Sequence, residues 1–125
     1  MPDSSKKILI IEDEKILAEM YQDKFSQEGY RVVLAFTSEE GIGLAKKEKP
    51  DLILLDILLP KENGVGFLKR LKETKGISQI PVVAFSNYDE PKTRKEAESL
   101  GVEAYLLKTD FTPQDLIKKI KEYLS

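Results

Sequence analysis

Five short runs rich in Ile, Leu and Val, at residues 8–11, 31–35, 52–55, 81–85 and 104–107, divide this 125-residue chain. Each is too brief for a stable helix and mostly apolar without strict alternation, the pattern of a strand buried on both faces of a parallel sheet. Between the runs the apolar positions change to helical spacing: Leu17, Met20, Tyr21 and Phe25; Ile42 and Ala45; Phe67, Leu68 and Leu71; Leu116, Ile117, Ile120 and Leu124. The weakly apolar stretch 97–100, before Gly101, is read as the fourth helix. Five repeated strand-helix units require right-handed crossovers, which cover both faces of the sheet with helices. The expected architecture is a doubly wound α/β fold with five parallel strands in the order 2-1-3-4-5 and five helices. One domain over residues 7–125 accounts for the pattern, and residues 1–6 read as a short polar tail.

Local chemistry marks the helix ends. Thr37 with Glu40 has capping-box spacing, and Thr112-Pro113-Gln114-Asp115 places a hydroxyl at the N-cap, proline at the first helical position and an acid two residues on. Gly29 and Gly101 are expected to stop the helices before them.

Composition narrows the chemistry. The chain contains no Cys and no His, so it has no disulfide, thiolate nucleophile, imidazole base or Cys-ligated metal. Polar chemistry falls to carboxylates, Lys, Ser, Thr and Tyr, and the metals to consider are hard cations bound through oxygen. Twenty Lys and Arg against twenty-two Asp and Glu give a net charge of −2 without a long basic run, which disfavours direct nucleic-acid binding. No apolar run approaches a signal-peptide core or a membrane span, and the cytoplasm is the expected location.

In the 2-1-3-4-5 order, ligands bind where the winding reverses, between the first and third strands. The first strand runs into Glu12-Asp13 and the third into Asp56, so three acids converge beyond adjacent strand ends. Crowded carboxylates raise one another's pKa or recruit a cation. Mg²⁺ suits them because it takes a few carboxylate oxygens, keeps waters and completes its shell with phosphoryl oxygens. The fourth strand leads into Ser86 and the fifth into Lys108, adding a hydroxyl and an ammonium to the same sheet edge. Each residue alone reads as an ordinary turn or surface group; together they suit a phosphoryl group.

Glu12-Asp13, Asp56 followed by Pro60 and Gly64, Ser86, and Tyr105-Leu106-Leu107-Lys108 resemble the receiver domain of bacterial two-component response regulators, in its single-domain, CheY-like form. The resemblance covers almost the whole chain. It implies a flavodoxin-like fold and phosphorylation of Asp56 by a sensor histidine kinase or phosphotransfer protein. It also implies Mg²⁺, or Mn²⁺ in its place, held by Asp13, Asp56 and the Leu58 backbone carbonyl, with Glu12 acting directly or through water. Ser86 matches the switch hydroxyl, Lys108 the phosphate-pairing lysine, and Tyr105 the aromatic that turns inward after phosphorylation. The face made by the fourth helix, fifth strand and fifth helix would then engage an effector or a second copy. Such a domain catalyses its own phosphorylation and dephosphorylation without being a turnover enzyme.

The sequence departs from that pattern in places. Glu12 stands where Asp is commoner, so its extra methylene brings the carboxylate closer to the cation or demands an outward rotamer. Thr109 replaces the usual proline after Lys108, and Asp110 lengthens the loop, so a trans bond and a mobile or redirected Lys108 are expected. Leu58 and Tyr88, both bulky, flank the path of a hydrolytic water and predict slow loss of the phosphoryl group. Asn87, where a very small residue is usual, narrows access further. Two other readings compete: a degenerate receiver that serves only as a docking module, and a phosphatase with an aspartyl intermediate. The latter requires Asp-x-Asp after the first strand, where this chain has Glu12-Asp13-Glu14. A nucleotide or flavin carrier would require a glycine-rich phosphate loop, and none follows Ile11. The chain stops one residue after Leu124, so it is expected to be a stand-alone regulator or a receiver cut from a longer chain.

Overall fold

The computed structural model describes residues 6–58, 63–87 and 89–124; Pro60 and Tyr88 lie outside these, as do residues 1–5 of the tail. Strands β1 (Lys7–Ile11), β2 (Arg31–Ala35), β3 (Leu52–Asp56), β4 (Val82–Ser86) and β5 (Ala104–Leu107) alternate with helices α1 (Lys15–Gln27), α2 (Ser38–Glu48), α3 (Gly64–Glu73), α4 (Pro91–Ser99) and α5 (Pro113–Lys121). The sheet is parallel in the order β2-β1-β3-β4-β5. The expected class, strand order and helix count are all found, with strand ends within a residue of those read from the apolar runs.

Successive strand residues face opposite sides. Leu9, Ile11, Ile53, Leu55, Val82 and Ala84 pack with α2 and α3 residues Ile42, Ala45, Phe67, Leu68 and Leu71 and with Ala97 of α4. Ile8, Ile10, Leu52, Leu54, Val83 and Phe85 pack with Tyr21 and Phe25 of α1 and Leu116, Ile117 and Ile120 of α5. Burying both faces removes the alternation from the sequence, and each fully enclosed Leu or Ile contributes about 1.5–3 kcal/mol.

The helix ends follow their sequence signals. The Thr37 hydroxyl accepts from the Glu40 N–H at 3.1 Å, while Glu40 reaches back to the Phe36 N–H at 2.7 Å, one residue before the usual reciprocal partner. Thr112 accepts from the Asp115 N–H at 3.1 Å, with Pro113 in the first turn. Gly29 and Gly101 follow α1 and α4 with φ of 94° and 87°, backbone that an L-residue adopts only under strain. Helix α4 is the most lightly anchored of the five: only Thr93 and Ala97 are buried along its nine residues.

The register sets the site. Ile11 lies beside Leu55, Asp56 beside Phe85, and Ser86 beside Leu107, so the residues that end or follow β1, β3, β4 and β5 share one edge.

Candidate functional site

Four of the expected groups meet at the carboxyl edge of the sheet. Glu12, Asp13 and Asp56 each present a carboxylate oxygen, all within 4.8 Å of one another. Glu12 is fully buried and Asp56 is 4% exposed, whereas Asp13 is the most open of the three. Lys108 projects from the end of β5 into this cluster, its Nζ 2.8 Å from Glu12 Oε1 and 3.3 Å from Asp56 Oδ2.

Backbone donors steady the acids. The Leu58 N–H donates to Asp56 Oδ1 at 3.1 Å, and the Glu14 N–H donates to Glu12 Oε2 at 3.1 Å. Behind Asp56 the chain enters α3 through a close contact: the Gly64 N–H donates to the Ile57 carbonyl at 2.7 Å. A Cβ at Gly64 would lie 2.9 Å from Ile57 Cα, so glycine is required for the backbone to pass there. Asn63 then caps α3, its Oδ1 accepting from the N–H groups of Val65 at 2.9 Å and Gly66 at 3.3 Å.

Electrostatically the pocket lacks positive charge. Burial pushes the Glu12 carboxyl up from 4.5 to about 7, opposed by its hydrogen bond from Lys108 and reinforced by the charge of Asp56. Burial acts to lower Lys108, but the Glu12 hydrogen bond and the charges of Asp56 and Glu12 outweigh it and hold the ammonium above its ordinary value. One ammonium therefore serves three crowded acids, and the most enclosed of them holds its proton well above the usual carboxylate range. That donor set, all oxygen and short of countercharge, fits a small divalent cation.

Two expected departures take definite form. The longer Glu12 side chain turns inward onto Lys108, and no outward rotamer is needed. Residues 108–110 form a single 3₁₀ turn, with no cis peptide bond among the described residues. The Lys108 ammonium, besides its contacts with Glu12 and Asp56, lies 4.6 Å from the centroid of the Phe85 ring, which pairs edge-on with Tyr21 at 5.8 Å. Sequence reading missed Phe85 and Asn63 as supports. The signal for Asn63 was local, a side-chain acceptor directly before the apolar spacing of α3; Phe85 required the sheet register.

Ser86 is almost wholly buried at the end of β4, two residues beyond Ala84, the register partner of Tyr105. Tyr105 is itself 8% exposed and packs into the core on the α4 side of the sheet. Its ring lies against the sheet on that side. Burial raises its phenol pKa, an effect that the neighbouring Ser86 side chain and the charge of Arg94 oppose. Leu58, 44% exposed, lies at the rim directly after Ile57.

This edge, with its three acids, lysine and serine on a five-stranded flavodoxin-like sheet, is the arrangement of a phosphorelay receiver. The chain belongs to the response regulator receiver domain family, whose model matches residues 8–121. Over 120 residues it is 33% identical to the alkaline phosphatase synthesis transcriptional regulatory protein PhoP of Bacillus subtilis, covering 96% of this chain and 49% of PhoP. The chain thus spans about half of that relative. It is 32% identical to the polar-differentiation response regulator DivK of Brucella ovis, covering 96% of this chain and 97% of DivK. A CheY-like receiver domain from Methanospirillum hungatei superposes with a TM-score of 0.88 at 29% identity, covering 96% of this chain and 94% of that one. The chain is a receiver domain of phosphorelay signalling, a signalling domain in place of a classical enzyme, and neither the docking-only nor the phosphatase reading is favoured.

Proposed function

We propose that Asp56 accepts a phosphoryl group in a Mg²⁺-dependent reaction, with a sensor histidine kinase or phosphotransfer protein as donor. The observation that carries this reading is the meeting of Glu12, Asp13 and Asp56 within 4.8 Å, with Lys108 bonded to two of them. An Asp56 carboxylate oxygen forms the new bond to phosphorus as the bond to the donor's imidazole nitrogen breaks, and that nitrogen takes its proton from solvent. Negative charge spreads over the three equatorial oxygens, and groups held in place before the reaction stabilise it most. Lys108, fixed by Glu12 and by the Phe85 ring, supplies a positive charge without having to be ordered first. Ser86, at the end of β4, supplies a hydroxyl to a phosphoryl oxygen. Glu12, Asp13, Asp56 and the Leu58 carbonyl would hold the divalent cation, Mg²⁺ or Mn²⁺, which when bound neutralises the acids so that an anionic phosphoryl group can approach.

Residues 7–125 act as the receiver unit. Not a turnover enzyme, it switches the α4-β5-α5 face toward an effector protein or a second copy, in the cytoplasm and without contacting nucleic acid or membrane; among the described residues no helix is long and apolar enough to cross a bilayer. Intact-mass analysis after incubation with acetyl phosphate tests the reading. Wild type with Mg²⁺ is expected to gain one phosphoryl mass, while wild type in EDTA and Asp56→Asn gain none. Equal labelling of wild type and Asp56→Asn would refute it.

A further inference from the structure

An open, mainly apolar groove of about 400 Å³ runs along α2, between Leu34 and Phe36 at the end of β2 and Glu40, Gly43, Leu44 and Lys47 of the helix. β2 is an edge strand of the sheet, so the groove lies at its outer margin. Residues 40, 43, 44 and 47 recur at i, i+3, i+4 and i+7 and form one stripe along α2. The two ends of the helix carry opposite charge, with Glu39 and Glu40 in the first turn and Lys46 and Lys47 in the last. That polarity also suits the dipole of the helix itself. Gly43 has no such local reason. It is exposed in mid-helix, its backbone is not left-handed, and a Cβ there would have nothing within 4 Å. Glycine at such a place costs about 1 kcal/mol relative to alanine. Gly41, by contrast, is enforced from inside, because a Cβ would fall 2.6 Å from Ile11 Cδ1. The chain's own packing therefore leaves a space at Gly43, beside the half-buried Leu44.

We propose that this groove is a self-association surface whose occupant is the α2 helix of a second copy, packed antiparallel about a two-fold axis. The antiparallel register that sets Glu40 against Lys47 of the second copy also sets Lys47 against its Glu40 and Gly43 against its Leu44. The axis passes between residues 43 and 44, so each Leu44 enters the space left by the other copy's Gly43, against Leu34 and Phe36. Every contact is then made twice, as an isologous interface requires. Glu40 is already placed for this role: its Oε1 accepts from the Phe36 N–H at 2.7 Å, which holds the carboxylate at the end of the groove. A parallel pairing in register would instead bring like charges together at both ends. β2 and β5 are the two opposite edges of the sheet, so this surface is separate from the α4-β5-α5 face. The proposal does not rest on Asp56 being the phospho-acceptor.

Sedimentation equilibrium of the unphosphorylated full chain, from about 10 µM to about 1 mM, is expected to show a reversible monomer–dimer equilibrium, since one helix pair in a groove makes a small interface. Dispersed amide spectra first confirm that each variant is folded. Lys47→Glu and Glu40→Lys each set like charges together twice and are expected to weaken the dimer about tenfold or more. Mixed in equal amounts, these two variants are expected to associate with nearly wild-type affinity, because a heterodimer restores both opposite-charge pairs. Gly43→Gln is expected to weaken the dimer by a similar factor without lowering the urea resistance of the monomer, since the added side chain starts in open space. A wild-type chain that stays monomeric throughout the range, or a mixture that associates no more tightly than either variant alone, would overturn the proposal. A dimer left unchanged by Gly43→Gln would overturn it as well and place the contact on another face.

Discussion

The enclosed Glu12 carboxyl makes the stability of the metal-free protein depend on pH in a calculable way. Raising its pKa from 4.5 to about 7 makes the ionised side chain about 3 kcal/mol less favourable in the folded protein than in the unfolded chain. Below pH 4.5 the group is protonated in both states and contributes no difference. Between 4.5 and 7 the folded protein keeps a proton that the unfolded chain has released, so stability falls as pH rises; above 7 both states are ionised and the loss is complete. Glu12→Gln removes this titration while keeping an acceptor for the Lys108 ammonium. Urea unfolding in EDTA, measured at about pH 4 and about pH 8, is therefore expected to show the stability of the variant relative to wild type improving by about 3 kcal/mol at the higher pH. Other groups, including Glu48 with its pKa lowered by the Lys7 hydrogen bond, titrate in both proteins and cancel in the comparison. Adding Mg²⁺ should stabilise wild type more than the variant at the higher pH, because a cation that binds only the folded, ionised cluster draws the equilibrium toward it. A difference between the two proteins that does not change with pH would refute this reasoning.

Further predictions concern the frame of the site and its kinetics. Gly64→Ala would set a methyl 2.9 Å from Ile57 Cα and 3.3 Å from the Asp56 carbonyl oxygen, so calorimetry should show stability reduced by about 1–3 kcal/mol together with weaker Mg²⁺ binding. Leu54→Ala, at a fully buried position on β3, should cost about 2–5 kcal/mol in urea unfolding while leaving Mg²⁺ affinity in the folded protein nearly unchanged. Once formed, the phosphorylated protein should lose its phosphoryl group slowly in Mg²⁺, as the bulky Leu58 and Tyr88 lead one to expect; rapid release of inorganic phosphate would contradict this.

The parts of this molecule that were legible in the sequence are those set by local composition or strand ends. Five strands without alternation pointed to burial on both faces, and that pattern gave the parallel sheet and, through the crossover rule, helices on both of its sides. Glu12, Asp13, Asp56, Ser86 and Lys108 were visible because each ends or directly follows an apolar run, and a parallel sheet brings such ends together. The contacts that tune them were not visible. The Lys108 ammonium over Phe85, Arg94 over Tyr105 and the inward turn of Glu12 onto Lys108 join residues far apart in the chain. No spacing rule encodes such pairs, because they depend on side-chain direction within the folded sheet. Helix α4 was faint for a related reason: with only two buried residues, it carries little periodic signal, and part of its anchorage comes through a charged side chain.

Trapping the phosphorylated state locates the acceptor most directly. Borohydride reduces an aspartyl phosphate to homoserine, so protein treated with acetyl phosphate and Mg²⁺, then reduced and digested, reports the modified position by peptide mass spectrometry. Homoserine at residue 56, absent when EDTA replaces Mg²⁺, is the predicted result. Homoserine at residue 13 in its place, or its formation at residue 56 to the same extent without a divalent cation, would contradict it.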